Sequence, residues 1–159
     1  MQVRDKIADN FGEIRNQAIR YLSYREHAIS EMRAKLLKKF DSVFVIDQVL
    51  AFLLDEDLLS EERYAESYIR VRVSKGYGPE HIRNELSYKG ISKSVIRQSF
   101  DLNEIDWDQE IRKVWAKKYQ KISVESQVQD RAKQWRFLLY RGFSRDQINR
   151  LFEESFTTV

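Results

Sequence analysis

Residues 83–92 read RNELSYKGIS, and residues 135–144, which lie 52 positions later, read WRFLLYRGFS. Both stretches place a leucine, a tyrosine and a basic residue before a glycine, and a serine two positions after it. The match continues beyond the serine, so that the segment 86–100 corresponds to the segment 138–152. The matching pairs are Leu86/Leu138, Tyr88/Tyr140, Lys89/Arg141, Gly90/Gly142, Ser92/Ser144, Ile96/Ile148 and Phe100/Phe152.

A weaker third copy lies 50 residues upstream of the first. Its residues Arg33, Leu36, Lys39, Val45, Ile46 and Gln48 align with Arg83, Leu86, Lys89, Val95, Ile96 and Gln98. A repeat of about 50 residues used three times fits a chain of 159 residues. Repeat arrays stack similar units so that neighbours bury a shared core, and such arrays generally bind partners rather than catalyse reactions.

Each repeat carries the signs of three short amphipathic helices, with apolar residues at helical spacing between stop residues. Gly90 and Gly142 are predicted to end a helix in the left-handed conformation, and the serine that follows each is predicted to cap the next helix. Gly76 and Gly78 are predicted to interrupt the helix that precedes them, and Pro79 suits the first turn of the next helix. We therefore predict an all-α protein of nine helices, arranged as three tandem three-helix repeats at residues 1–58, 59–104 and 105–159, with a linker near 121–126.

The composition excludes several classes of protein. One proline and five glycines leave little material for β-turns, which favours helices joined by short loops. The absence of cysteine excludes disulfides, thiol chemistry and cysteine-based zinc sites. No apolar run approaches the ~20 residues of a membrane span, and the first ten residues lack the apolar core of a signal peptide. The sequence predicts a cytoplasmic protein that does not enter the membrane.

A search for catalytic or metal-binding residues yields no site. The two histidines, His27 and His81, have no second histidine at metal-ligand spacing, and we expect both to be surface or helix-capping residues. The segment 76–78 is not a phosphate loop, because no strand precedes it and no Gly-Lys-Ser/Thr follows. The acidic cluster 55–57 lacks the alternating ligands and turn glycine of a calcium loop. We therefore expect no enzyme activity, no metal and no cofactor.

Charge is distributed unevenly along the chain, although the formal net charge is only +3. Residues 41–66 contain eight acidic groups and one basic group, residues 67–100 contain seven basic and two acidic, and residues 112–150 contain eleven basic and three acidic. An acidic block between basic blocks is typical of proteins that steer a polyanion or a partner with both signs of charge, and solvated helix faces are the alternative interpretation.

The candidate binding residues lie in the basic blocks. One group flanks the glycine break, and a second follows the helix from Trp107, where lysines recur every four residues. A third lies around Trp135, where Phe137 and Tyr140 accompany basic residues. Such aromatics suit single-stranded nucleic acid if they are exposed, and the alternative is that Phe137 packs on a neighbouring helix. The predicted partner-binding or DNA-binding residues are Arg70, Arg72, Lys75, Tyr77, Arg83, Lys113, Lys117, Lys121, Lys133, Arg136 and Arg141. Tyr77 is either such a contact or a wedge against the next helix.

Four stretches of this chain resemble the RecX family of regulators of the RecA recombinase. The stretch at residues 75–91 is the most specific of the four, and the similarity spans residues 14 to 152 in matching order and spacing. Ala28 departs from the pattern, since the family favours a serine-type cap there. The stretches are 21–36 (Tyr21-Leu22, Arg25-Glu26-His27, Lys35-Leu36), 63–69 (RYAESYI), 75–91 (KGYGPEHIRNELSYKGI) and 136–143 (RFLLYRGF).

The resemblance implies an elongated, curved array of three three-helix repeats that acts as a monomer. It implies binding in the groove of the filament that RecA forms on single-stranded DNA, with inhibition of filament growth, ATP hydrolysis and strand exchange. The setting would be recombination, DNA repair and the SOS response. Contact with free single-stranded DNA is expected to be weak and electrostatic.

Two other functions remain open on the sequence alone. The first is a general nucleic-acid-binding helical protein, because three-helix units with a basic helix are compatible with helix-turn-helix docking. The second is an adaptor that joins proteins through its acidic face without touching nucleic acid. Salt-dependent binding to single-stranded DNA would separate the adaptor from the other two functions.

Overall fold

A computed structural model describes residues 2–121 and 130–154, with side chains from residue 10 onward. This part of the chain forms helices joined by turns and contains no strand, so the predicted all-α class is confirmed. The predicted linker lies, beyond Lys121, outside the described residues. The helices are α1 (Gln2–Leu22), α2 (Ile29–Leu37), α3 (Val43–Asp55), α4 (Glu61–Ser74), α5 (Pro79–Tyr88), α6 (Lys93–Asn103), α7 (Trp107–Tyr119), α8 (Arg131–Arg141) and α9 (Arg145–Glu154).

The helices form three consecutive units, and each unit has its own apolar core. In the first unit (α1–α3), α1 and α2 both pack on α3; in the second (α4–α6), α4 packs mainly on α6; in the third (α7–α9), α7 packs mainly on α9. Leucines at equivalent repeat positions, Leu36, Leu86 and Leu138, are fully buried at the centres of the three cores. The repeat in the sequence is therefore a repeat of core-forming positions.

Helix ends follow the predicted local chemistry. Gly90 and Gly142 adopt φ of 86° and 91°, the left-handed conformation that costs a residue with a Cβ about 1–2 kcal/mol. Serine and aspartate side chains accept the backbone N–H three residues later and so satisfy a donor that has no partner within its helix. These caps are Ser42, Ser60, Ser92, Asp106 and Ser144.

The second helices of the three units meet end to end. At the first junction, the hydroxyl of Ser30 in the first turn of α2 donates to the carbonyl oxygen of Lys89 at the end of α5, at 2.8 Å. At the second junction, the backbone N–H of Gly78 before α5 donates to the carbonyl oxygen of Arg141 at the end of α8, at 2.7 Å. The positive N-termini of α2 and α5 thus contact the negative C-termini of α5 and α8, which the helix dipoles favour.

The second junction leaves no room for a side chain at two positions. The N–H of Glu80 donates to the carbonyl oxygen of Gly142 at 3.0 Å, which brings the two backbones into direct contact. A Cβ on Gly78 would lie 2.5 Å from the carbonyl group of Gly142, and a Cβ on Gly142 would overlap His81. At the first junction a Cβ on Gly90 would meet only the Ser30 hydroxyl, at 3.9 Å. The two junctions therefore lie at equivalent positions of the repeat, but the backbones approach each other more closely at the second junction than at the first.

Side chains from the first unit complete the first junction. Ala28, the residue before α2, makes no side-chain cap bond and is fully buried in the core of the second unit. The predicted surface position of His27 was wrong, because its exposed fraction is 1%. Its ring fits a neutral tautomer in which Nδ1 donates to the Arg25 carbonyl oxygen at 2.9 Å and Nε2 accepts from the Lys35 ammonium at 2.8 Å. Burial, reinforced by the Arg25 and Lys35 charges, lowers the pKa of His27.

Candidate nucleic-acid and partner-binding surface

Four of the predicted binding residues come together in one cleft between the second and third units. Lys75 comes from the end of α4, Lys113 and Lys117 from α7, and Arg141 from the end of α8. The cleft has a volume of about 630 Å³. We call it the basic cleft; its remaining lining residues are Val73, Ser74, Gly76, Glu110, Val114, Lys118 and Phe137.

The basic cleft forms where three helices end, and this explains its charge. Lys75 follows the last turn of α4, Lys117 and Lys118 lie in the last turn of α7, and Arg141 ends α8. Cations at helix C-termini are stabilised by the partial negative charge of the free carbonyl groups. Arg141 also ties two of these ends together, because its guanidinium donates to the carbonyl oxygen of Lys75 at 3.0 Å.

Five cations face one carboxylate in the basic cleft, so the cleft attracts anions. Glu110 is paired with Lys113, whose ammonium nitrogen lies 2.6 Å from its carboxylate. The ammonium of Lys118 lies 3.8 Å from the ring centroid of Phe137, and the ring of Tyr119 meets the same phenyl group edge-on at 5.7 Å. Phe137 therefore forms an apolar floor beneath the cations, and its face is already occupied by Lys118.

Comparison with known proteins follows the division into units. Family profiles described as the first, second and third three-helix domains of RecX match residues 15–53, 60–99 and 104–152. The chain belongs to the RecX family.

Relatives and solved structures in the RecX family match nearly the whole chain. Regulatory protein RecX of Ectopseudomonas mendocina (strain ymp) is 41% identical over 143 residues, which are 90% of this chain and 95% of the relative. Regulatory protein RecX of Pseudomonas putida (strain GB-1) is 41% identical over 138 residues, which are 87% of this chain and 88% of the relative. A crystal structure of RecX from Lactobacillus salivarius is 28% identical with a TM-score of 0.73, covering 92% of this chain and 97% of that one. The resemblance read from the sequence is confirmed.

Arg72, although predicted as a binding residue, is engaged within this RecX-family chain. Its guanidinium binds both carboxylate oxygens of Glu85, with Nε 2.7 Å from Oε2, and its side chain is 19% exposed. Burial acts to raise the pKa of Glu85, but hydrogen bonds from Arg72 and Tyr68 outweigh it and leave the pKa lowered. Burial and the bond to Glu85 raise the pKa of Tyr68 to about 12. We therefore assign Arg72 a role inside the second unit.

Tyr77 lies at the second junction. Its ring stacks on His81 with a centroid distance of 4.5 Å and an angle of 15° between the planes. The guanidinium groups of Arg72 and Arg141 lie 4.1 Å and 5.1 Å from its centroid. These contacts favour the wedge that the sequence left open, with Tyr77 filling the space beside the glycine break.

The other predicted residues are exposed outside the lining of the basic cleft. Arg70 lies 4.0 Å from Glu66, and Arg83 pairs with Glu80 at 3.3 Å while its guanidinium covers the ring of Phe100. Lys121, Lys133 and Arg136 are exposed at the end of α7 and along α8. Lys118 and Glu110 also line the basic cleft but were not predicted, because neither continues the four-residue lysine spacing that indicated Lys113 and Lys117.

The acidic block lies mostly on the first unit, and part of its charge is neutralised locally. Arg63 binds Glu26 at 2.8 Å and Asp57 at 2.9 Å, and Arg33 binds Asp47 at 2.7 Å. Among the described residues, no three histidine or carboxylate side chains are grouped closely enough to hold a metal ion. In the same part of the chain, no helix is long and apolar enough to cross a membrane.

Proposed function

We propose that this RecX-family chain regulates the RecA recombinase without catalysing a reaction. In this proposal it binds, as a cytoplasmic monomer, in the groove of the filament that RecA forms on single-stranded DNA. It then inhibits filament growth, ATP hydrolysis and strand exchange. Membership of a family of regulatory proteins, at about 41% identity over most of the chain, supports the choice of partner.

The observation that carries the proposed binding mode is the basic cleft. It gathers Lys75, Lys113, Lys117 and Arg141 from two different units around an apolar floor, so a charged partner could contact both units at once. Three linked units add contacts at high effective concentration, which strengthens binding to a long filament. Inhibition requires that the chain bind an inactive or dissociating arrangement of RecA subunits more tightly than the active one.

A RecA ATPase assay on single-stranded DNA tests this function. Titrating the chain into the reaction is expected to reduce the rate of ATP hydrolysis. The variant K113E/K117E should inhibit at least about tenfold less well, because it reverses two charges of the basic cleft. K93E/R97E is the matched control, since it makes the same charge change on exposed positions of α6, away from the cleft.

Two results would contradict the proposal in different ways. An unchanged ATPase rate with excess wild-type chain would remove RecA as the partner. Equal inhibition by K113E/K117E and K93E/R97E would remove the basic cleft as the contact surface and leave the partner in place.

General binding of single-stranded nucleic acid is the second candidate function, and the composition of α8 favours it. This helix carries Arg131, Lys133, Arg136 and Arg141 and no acidic residue. Affinity for single-stranded DNA at physiological salt, measured without RecA, separates this function from regulation that depends on the filament.

A further inference from the structure

The internal repeat contains one matched pair that the fold does not explain. Leu86/Leu138, Ile96/Ile148 and Phe100/Phe152 are buried core residues. Gly90 and Gly142 adopt left-handed conformations, and Ser92 and Ser144 cap helices. The backbone or side chain of Lys89 and of Arg141 takes part in a junction between units. Tyr88 and Tyr140, by contrast, are 94% and 79% exposed.

Such exposure gives the two phenol rings no packing role. A single exposed aromatic residue needs no explanation, but two at the same position of two units are a repeated surface feature. Each tyrosine lies in the last turn of the second helix of its unit and is followed directly by a cation, Lys89 or Arg141. The end of α8 contacts the start of α5, so Tyr140 lies near one end of α5 and Tyr88 at the other, and α5 is roughly 15 Å long.

We propose that Tyr88 and Tyr140 are stacking platforms for the bases of one single-stranded nucleic acid. A ring beside a cation suits this ligand, because the ring stacks on a base while the cation meets a phosphate. Around Tyr140 the charge is favourable, since Arg136 lies one turn before it and α8 holds no acidic residue. An acidic protein segment would use the cations but would gain little from two exposed rings.

A hollow beside Tyr88 provides space for a base. It has a volume of about 460 Å³ and is lined by Tyr68, His81, Asn84, Glu85, Tyr88 and Lys89. Asn84 is exposed on this wall, and an amide can both donate to and accept from the edge of a base. α5 carries Glu80 and Glu85 as well as Arg83, so its local charge is less favourable than that of α8. We therefore expect Tyr140 to contribute more than Tyr88.

The inference rests on the single-strand contact in the proposed function, and the test measures that contact directly. The full chain is titrated against fluorescein-labelled oligo-dT of about 30 nucleotides, long enough for several contacts, and the fluorescence anisotropy is followed. Y88A/Y140A is expected to bind at least about fivefold more weakly than wild type. Y88F/Y140F retains both rings and should bind as wild type. Y24A is the control, because Tyr24 is 83% exposed but has no counterpart in the repeat.

An abasic strand of the same length separates bases from phosphates. If the rings stack on bases, wild type and Y88A/Y140A should bind the abasic strand equally weakly. Three results would overturn the inference: unchanged dT affinity of Y88A/Y140A, an equal loss for Y24A, or a loss for Y88F/Y140F as large as for the alanine pair. If Y88A/Y140A binds dT normally but no longer inhibits RecA ATPase, the rings contact protein instead. Failure of wild type to inhibit RecA would refute the proposed function while leaving the stacking measurement intact.

Discussion

Replacing Gly142 by alanine is expected to destabilise the second junction by about 3 kcal/mol, summed from two effects. The left-handed conformation at this position costs an alanine about 1 kcal/mol. The new Cβ would also overlap His81, and relieving the overlap separates α5 from α8. That movement breaks the backbone bonds from Gly78 to Arg141 and from Glu80 to Gly142, each with a net value of about 1 kcal/mol.

Two further glycines separate these contributions. Gly90 has nearly the same φ, but a Cβ there meets only the Ser30 hydroxyl at 3.9 Å, so G90A should cost about 1 kcal/mol from the backbone alone. Gly78 has an ordinary φ of −86°, but a Cβ there would lie 2.5 Å from Gly142, so G78A should cost about 2 kcal/mol from the broken junction alone.

The assay is urea unfolding followed by two probes. Trp115 and Trp135 pack on the core of the third unit, and Trp107 packs on the cores of both the second and the third unit. Tryptophan fluorescence therefore reports mainly the third unit and its boundary with the second, whereas circular dichroism reports every helix. In G142A and G78A the fluorescence transition should move to lower urea than the dichroism transition, because the third unit loses its support. Equal costs for G142A and G90A, with coincident transitions in both, would refute the argument that the second junction needs bare backbone.

Three other predictions follow from charge, shape and titration. If about four cations of the basic cleft contact phosphates, the log–log slope of single-stranded DNA affinity against salt concentration should be about −3. In K113E/K117E the magnitude of that slope should decrease by about 1.4, because two contacts are lost. A slope near zero for the wild type would exclude an electrostatic contact. The chain has a solvent-accessible surface of 10805 Å², whereas a compact monomer of 19.1 kDa has about 8,400 Å². Small-angle scattering should therefore give a radius of gyration above the ~15 Å of a compact globule of this length. A radius at or below that value would contradict an elongated array. Burial lowers the pKa of His27, so on acidification the unfolded chain protonates this histidine at a higher pH than the folded chain does. The urea midpoint should therefore fall as the pH drops below about 6.5, and the midpoint of H27Q should lack this fall.

Much of the fold could be predicted from the sequence because its determinants are local. Helical spacing located the cores, left-handed glycines such as Gly90 marked helix ends, and serines such as Ser92 marked the next helix starts. These features depend on residues within one or two turns of each other, so a repeat in the sequence indicates a repeat in the structure.

The relation between units could not be predicted, since it depends on contacts that leave no pattern in the sequence. The second junction depends largely on backbone groups, such as the N–H of Gly78 and the carbonyl of Arg141, and every residue type except proline carries both groups. His27 is buried between Tyr21 of α1 and Lys35 of α2, and the single-helix pattern does not contain such a contact between helices. The pairing of Arg72, a predicted binding residue, with Glu85 could not be foreseen, because Glu85 lies on the next helix.

The second junction also sets the shape of the basic cleft, and this leads to a last prediction. Lys75 belongs to the second unit, whereas Lys113 and Lys117 belong to the third, so the distance between these walls depends on how the units meet. G78A removes no charge, no lining residue and no exposed ring, yet it should weaken inhibition of RecA ATPase by separating the walls.

G90A is the matched control for this effect, because it strains a helix end in the first junction and leaves the cleft lining unchanged. We expect G90A to inhibit nearly as well as wild type and G78A to inhibit several-fold less well at a temperature where both variants remain folded by circular dichroism. If G78A inhibits as strongly as G90A, the two walls act independently. Binding would then depend on the charges of each unit alone, and the contacts between the ends of the second helices would stabilise the fold without contributing to recognition.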